Sequence, residues 1–464
     1  MKTSVRVPVA LLLSLVVCIP VLAQEIVHAV ALPRATMSEL AARPWRDRPR
    51  TIVHRILPRL SAFAGASRHD ALSSLVGAVE APPTTTTFDA DTSRNLTPPD
   101  ASGAVGPAHV LTVSNARIIV HDRAGNVLTF LGQTQFWSAS APLGSYYDPR
   151  AAYDAAADRW VMMAVHDETD LMVAVSETGD PGGAWARYRL AASDPDFSML
   201  AITAETVIFG TIEFWSLNSE LLSARKEDLY AMPTSVPMTR YLEEAFTLPV
   251  TSDAALERTV RWGAAGLEVR RLGHAGYRTI SEPASWARAN PIVPQLGTAM
   301  MLDAGFNDIQ NAVERHGRIY LTMAVDTPGF RSTIGWCRLD PETGEANWGV
   351  LEDPQGRSFA YPSLAVNRHG SMLIGFGHFS PNQYASSGYI YRDFLGRVST
   401  VTTIRDGNSA VTFNDRWGDY TTTVVDPVDD TSFWTTQIHA KDGTWATSWA
   451  KIEISGGRRR TVRH

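Results

Sequence analysis

The chain has 464 residues, 44% of them apolar and 19% charged, with a formal net charge of −6 and only two cysteines. That length can bury a sizeable core without cross-links, and the acidic balance argues against a nucleic-acid partner. Beyond the N-terminus no stretch reaches 18 unbroken apolar residues, so no transmembrane helix is predicted.

The first residues, "MKTSVRVPVALLLSLVVCIPVLAQE", set Lys2 and Arg6 ahead of an apolar run that ends in Val21-Leu22-Ala23. This is the pattern of a secretory signal peptide, residues 1–23, cleaved after Ala23. A secreted or periplasmic protein is expected, and a monomer. The rival reading, lipidation at Cys18, is disfavoured because Val17 stands where a lipoprotein signal needs a small residue. Cleavage leaves 40 basic and 48 acidic residues and Cys337 as the single cysteine, read as a buried apolar residue rather than a nucleophile. Residues 24–97 read as a linker or propeptide, since Pro and Arg recur in "RPWRDRPRTIVHRILPRLS" and turn residues crowd "APPTTTTFDADTSRNLTPPD". Residues 456–464 form a basic tail.

Between these ends, over residues 98–455, short strand pairs replace helical periodicity and one opening phrase recurs. It is "DASGAV" at Asp100, "DPRAAY" at Asp148, "FSMLAI" at Phe197, "DIQNAV" at Asp308, "YPSLAV" at Tyr361 and "YTTTVV" at Tyr420. The openings lie 48, 49, 111, 53 and 59 residues apart, and the double gap predicts one more unit near Asp253. Within most units a polar turn ("AAADRW", "ERHGRI", "NRHGSM") joins the first strand to a second, and a later hairpin signal follows, as in "HDRAGNV". Four strands in a period of about 50 residues predict an all-β β-propeller, with seven four-stranded blades and six as the fallback. The twin turns at His316 and His369 are read as exposed architecture, with Gly317 and Gly370 at positive φ.

The phrases "PPDASGAVGPAHVLTVSN", "DPRAAYDAAADRWVMMAV", "VSETGDPGGAW", "AYPSLAVNRHGSMLIGF" and "NDRWGDYTTTVVDPVDDTSFWTTQIH" resemble a group of secreted bacterial β-propeller proteins of largely uncharacterised role, over about Pro98 to Ile454. Such proteins are often named by loose similarity to sialidases. This sequence lacks the sialidase Asp-box, "KDGTW" at Lys441 being only a partial match. The resemblance implies the fold and leaves activity open.

In a propeller the first strand of each blade lines the central channel, so the openings should converge at one mouth. This places Asp100, Asp148, Asp308, Tyr361, Asp419 and Tyr420 around a funnel, with Asn307 and Arg416 beside them. Gathered carboxylates suit a hard cation such as calcium or a polyhydroxylated ligand, and aromatic rings suit a sugar face. The plain alternative is that each Asp caps its own strand by accepting backbone N–H groups. "RWGDY", Arg416 to Tyr420, is the densest local candidate; its structural alternative is an Arg416–Asp419 or Arg416–Asp148 pair that locks the last blade. Trp160 and Trp434 read as inter-blade core. "DADTSRNLTPPD" matches a calcium loop weakly, Arg94 replacing the required Gly. There is no H-E-x-x-H, G-x-S-x-G or P-loop. The expected function is therefore binding of a carbohydrate or protein ligand at the channel mouth. One alternative is a glycan-active hydrolase or lyase, which needs two carboxylates about 5 to 9.5 Å apart. Another is an envelope scaffold with an exposed apolar patch.

Overall fold

A computed structural model describes residues 24–43, 79–92, 97–138, 144–283, 286–288, 292–305, 308–327 and 331–454. Residues 1–23, expected to be a signal peptide and containing Cys18, the C-terminal residues 455–464, Arg94 and Asn307 lie outside the described residues. Among those described are thirty-four strands and three helices of five residues each. No described helix is long and apolar enough to cross a membrane.

The strands form successive four-stranded antiparallel units, each named here by its opening residue. The Asp100 unit comprises Ser102–Val105, His109–Val113, Arg117–Asp122 and Val127–Gly132, and the Asp148 unit Tyr146–Asp154, Arg159–His166, Asp170–Ser176 and Ala184–Ala191. The Phe197 unit comprises Pro195–Ile202, Thr206–Glu213, Ser219–Arg225 and Ser235–Glu243. Next come Leu248–Pro249, Arg258–Gly263, Gly266–Arg271 and Arg278–Ile280, the weakly marked unit expected near Asp253. The Asp308 unit is Ile309–Arg315, Arg318–Thr327, Arg331–Leu339 and Ala346–Val350, and the Tyr361 unit Ser358–Val366, Met372–Ser380, Gln383–Arg392 and Thr402–Arg405. The Tyr420 unit has Thr422–Val425, Phe433–Lys441 and Thr444–Ile452, and takes its fourth strand, Thr84–Thr92, from the N-terminal side. First strands of successive units pack side by side, and that of the Tyr420 unit meets that of the Asp100 unit, closing a ring. The fold is an all-β β-propeller.

The repeated opening has a conformational cause. Asp100, Asp148, Phe197 and Tyr361 all have left-handed backbones, with φ of 44°, 51°, 49° and 53°. In the units of Asp148, Phe197 and Tyr361 the ladder between first and second strands shifts register at that residue. A bulge of this kind bends the strand and re-aims its side chains. Asp accepts the left-handed region by local hydrogen bonding, whereas Tyr and Phe hold it only where the surroundings dictate it.

The linker reading of residues 24–97 is corrected where the structure describes them. Gln24–Ala31 is a strand lying between Ser235–Glu243 and Ala184–Ala191, so it fuses the Asp148 and Phe197 units into one ten-stranded sheet. The helix Met37–Ala41 then buries Met37 and Leu40 in the core of the Asp100 and Asp148 units, its start capped by Thr36 and Glu39. Thr84–Thr92 is an extended strand that takes in the first four residues of the weak calcium-loop match, whose residues 93–96 lie outside the described residues. Asp89 bonds Lys441 and Ser448, and Asp91 bonds Ser114 and Arg117. These acids already have protein partners because the strand closes the ring. The His316 and His369 turns are exposed, and Gly317 and Gly370 have φ of 67° and 77°. The turns also touch, His316 Nε2 lying 3.1 Å from Arg368 O. Trp160, Trp434 and Cys337 are buried.

Candidate functional site

The openings of three units bring three carboxylates together. One oxygen each from Asp100, Asp148 and Asp419, residues of three different units, lies within 4.8 Å of the others. Asp100 and Asp148 are fully buried and Asp419 nearly so. Each acid is also a link between units. Asp419 N donates to Asp100 Oδ1 at 2.8 Å, and Phe197 N donates to Asp148 Oδ2 at 2.8 Å. Asn115 bridges the remaining gap: its Nδ2 donates to Asp100 Oδ2 at 2.5 Å and its Oδ1 accepts from Asp148 N at 2.8 Å.

On the solvent side, Arg416 donates to both oxygens of Asp419, at 2.7 and 2.8 Å, and to Asp303 Oδ2 at 2.8 Å. The side chains of Arg416, Asp419 and Asp303 keep 16%, 11% and 19% exposure, so this edge is where the cluster meets solvent. Arg150 lies with its guanidinium carbon 3.3 Å from the Tyr420 ring centroid and donates from Nε to Ser198 O at 2.8 Å. The two tyrosines are fixed as well. Tyr361 Oη donates to Asp303 O at 2.6 Å, and Tyr420 Oη to Pro149 O at 3.0 Å.

The electrostatics follow from burial. Removal from water, followed by the charge of Asp419, pushes the Asp100 carboxyl up to about 8. Burial, then the charges of Asp100 and Asp419, lifts Asp148 well above the carboxylate range. Asp303 is raised by burial too. Burial works to lower the Arg416 pKa, but Asp419 and Asp303 outweigh it and hold the guanidinium above its ordinary value. Burial lowers Arg150. Asp100, Asp148, Asp419 and Asp303, with Asp196 hydrogen-bonded to Asp148, make five acids against two guanidinium groups, and at neutral pH the balance calls for protons or a cation.

Six of the seven residues expected at the mouth, Asp100, Asp148, Tyr361, Arg416, Asp419 and Tyr420, are joined by these contacts. Asp308 is not part of the group of three: its Oδ1 accepts from the next backbone N–H, that of Ile309, at 2.7 Å. Tyr361, Tyr420 and Trp417 are each 1% exposed and present no face for a sugar. The tyrosine hydroxyls are committed to backbone carbonyls, and Trp417 packs edge-on to Phe379. Sequence reasoning missed Asn115, Arg150 and Asp303. The only signal for Arg150 was its place in "DPRAAY", two residues from a left-handed Asp.

No protein-family model matches the chain, and no curated protein does either. Among solved structures it is similar to an oligogalacturonate lyase in complex with manganese, at 12% identity and a TM-score of 0.43, covering 81% of this chain and 99% of that one. It is similar also to an α-L-arabinofuranosidase from Fusarium graminearum, at 8% identity and 0.41, covering 80% and 99%. A third is an endo-arabinase from Bacteroides thetaiotaomicron, at 12% identity and 0.34, covering 69% and 97%. Likeness at this level carries no argument about chemistry.

Proposed function

We propose that this chain is a seven-bladed, exported propeller that holds a hard divalent cation among Asp100, Asp148 and Asp419 and binds a polar, carbohydrate-type ligand at the Asp303–Arg416–Asp419 edge. The observation that carries this reading is the meeting of three carboxylates from three units within 4.8 Å in a buried setting. The donor set fits such an ion. Carboxylate oxygens are its preferred ligands, and each carboxylate keeps lone pairs beyond those used by Asn115 and the backbone N–H groups. Burial first, and then the neighbouring carboxylates, raise Asp100 and Asp148, and a cation offsets both the lost hydration and the repulsion. Calcium, magnesium and manganese are the ions to try. Thermal melting with each ion and with chelator is the test, since a site held at 100 times its dissociation constant adds about 2.7 kcal/mol. Superimposable melts in ion and chelator would remove the cation. A glycan array probed with the mature chain and with Arg416→Met tests the ligand; binding that survives the substitution removes this edge from the site. N-terminal sequencing of exported protein tests cleavage ahead of Gln24, and any other start refutes it.

A second reading is a glycan-active hydrolase or lyase. It is favoured by one observation: Asp100, pushed up to about 8, carries a proton at neutral pH beside an Asp419 carboxylate paired with Arg416, the arrangement of an acid beside a base. Its difficulty is that Asp100 is fully buried. Incubation with oligogalacturonate, arabinan and bacterial glycans decides it. Product formation that Asp100→Asn abolishes would support catalysis, and inertness toward all of them would end this reading.

A further inference from the structure

The Asp303–Arg416 pair has an apolar border that its charges do not account for. Ile292–Val293 and Leu302–Asp303 form a two-stranded antiparallel sheet in which Ile292 stands opposite Asp303 and Val293 opposite Leu302. Successive side chains along a strand point to opposite faces, and directly opposed residues share one. Val293 and Leu302 are fully buried, so they face the core. Ile292, Met301 and Asp303 therefore face outward together, and Ile292 and Met301 are 44% and 38% exposed.

A second segment is laid against this sheet. Gln295 donates to Val411 O at 2.8 Å and accepts from Val411 N at 2.9 Å, and Asp303 N donates to Asp415 O at 2.8 Å. Asn414 Oδ1 accepts from Arg416 N at 2.8 Å, which tightens the turn between Phe413 and Arg416. Phe413, 50% exposed, thus stands three residues from the guanidinium that pairs with Asp303. Single exposed apolar side chains are ordinary on a protein surface, whereas several gathered at a charged edge mark a place of contact.

The polar half of this edge accepts rather than donates. The terminal nitrogens of Arg416 are committed to Asp303 and Asp419, and its Nε is buried. The carboxylates of Asp303 and Asp419 stay partly exposed and keep lone pairs beyond those that Arg416 uses. A partner for such an edge supplies hydroxyl donors and an apolar face. A carboxylate or sulfate there would set acceptor against acceptor and like charge against like charge.

We propose that Ile292, Met301 and Phe413 receive the C–H face of a neutral sugar ring whose hydroxyls donate to Asp303 and Asp419, so that the ligand is a neutral rather than an acidic glycan. This rests on the reading of the edge as a carbohydrate site and narrows it to one class.

The mature chain, with calcium present, is titrated calorimetrically with neutral galacto-, gluco- and arabino-oligosaccharides and, separately, with oligogalacturonate and heparin fragments. Saturable binding of a neutral oligosaccharide is expected, with weaker binding of the acidic set. Phe413→Ala should weaken it about tenfold and Met301→Ala severalfold, both with little change in melting temperature, and Phe413→Trp should restore it. A neutral oligosaccharide bound with wild-type affinity by Phe413→Ala and Met301→Ala overturns the apolar border and leaves the edge itself standing. Affinity for the acidic set equal to or above that for the neutral set overturns the class. If the wild-type chain binds neither set, the edge is no carbohydrate site and both readings fall.

Discussion

Acid should loosen this propeller at three named histidines. His121, His378 and His439 lie on strands Arg117–Asp122, Met372–Ser380 and Phe433–Lys441, and none is more than 3% exposed. Burial pushes each imidazole down to about 4, against small opposing pulls such as that of Asp122 on His121 and Asp89 on His439. An unfolded histidine titrates near 6.5, so between about 6.5 and 4 the unfolded chain binds protons that the folded chain refuses. The contribution of each neutral imidazole is therefore whole above 6.5 and lost as pH falls toward 4. From pH 7 to 5 the unfolded group crosses about 1.5 pH units below its pKa, worth about 2 kcal/mol per histidine. Asp100 runs the other way, since its raised pKa favours the folded state as pH falls from about 8 toward 4. The clean measurement is therefore a difference. Urea unfolding of wild type and His121→Leu is compared at pH 7 and pH 5, and the variant should gain about 2 kcal/mol on wild type at the lower pH. His378→Gln and His439→Gln should do the same. A wild-type-to-variant difference equal at both pH values would mean that these imidazoles titrate alike in the folded and unfolded chains, and the acid effect would have to come from elsewhere.

Arg416→Met strands Asp419 and Asp303 without their guanidinium in a largely buried place and should destabilise by about 3 to 5 kcal/mol in urea unfolding; a loss under about 1 kcal/mol would mean the cluster is wetter than its burial implies. Tyr420→Phe removes the hydroxyl bond to Pro149 O, which joins the last unit to the Asp148 unit, and should lower stability by about 1 kcal/mol with no change in ion binding. Gly305→Ala places a side chain at φ 83° against the Tyr361 ring and should cost more than about 1 kcal/mol, read as a lower melting temperature.

The opening phrase was legible because it encodes a conformation. Asp100, Asp148, Phe197 and Tyr361 share a left-handed backbone, and a repeated conformation leaves a repeated text. Asp100 and Asp148 carry that conformation, and Asp419 meets them through its backbone N–H, which donates to Asp100 Oδ1. Asp308 did not join them: its carboxyl turns to the Ile309 N–H. Arg150 was missed because strict alternation along a strand assigns faces only where the ladder is regular, and the register shifts between Tyr147 and Arg150. The role of the tyrosines was misjudged for a simpler reason. An aromatic ring near a channel mouth reads the same whether it faces solvent or is pinned by a carbonyl, and Pro149 O and Asp303 O decide the matter here. The strand Gln24–Ala31 was hidden in Pro- and Arg-rich surroundings, since it is largely exposed and shows no alternating apolar face.

Everything proposed for the channel mouth turns on whether the ring of units closes on a cation held by three acids. Crystals of the mature chain grown with manganese and measured for anomalous scattering can decide this. One anomalous peak is expected among Asp100, Asp148 and Asp419, within about 2.6 Å of an oxygen from each, and absent from crystals of Asp148→Asn. A manganese data set with no peak there, and with the three carboxyls held only by Asn115, Arg416 and backbone N–H groups, would leave the acids as links between units and the cation without a site.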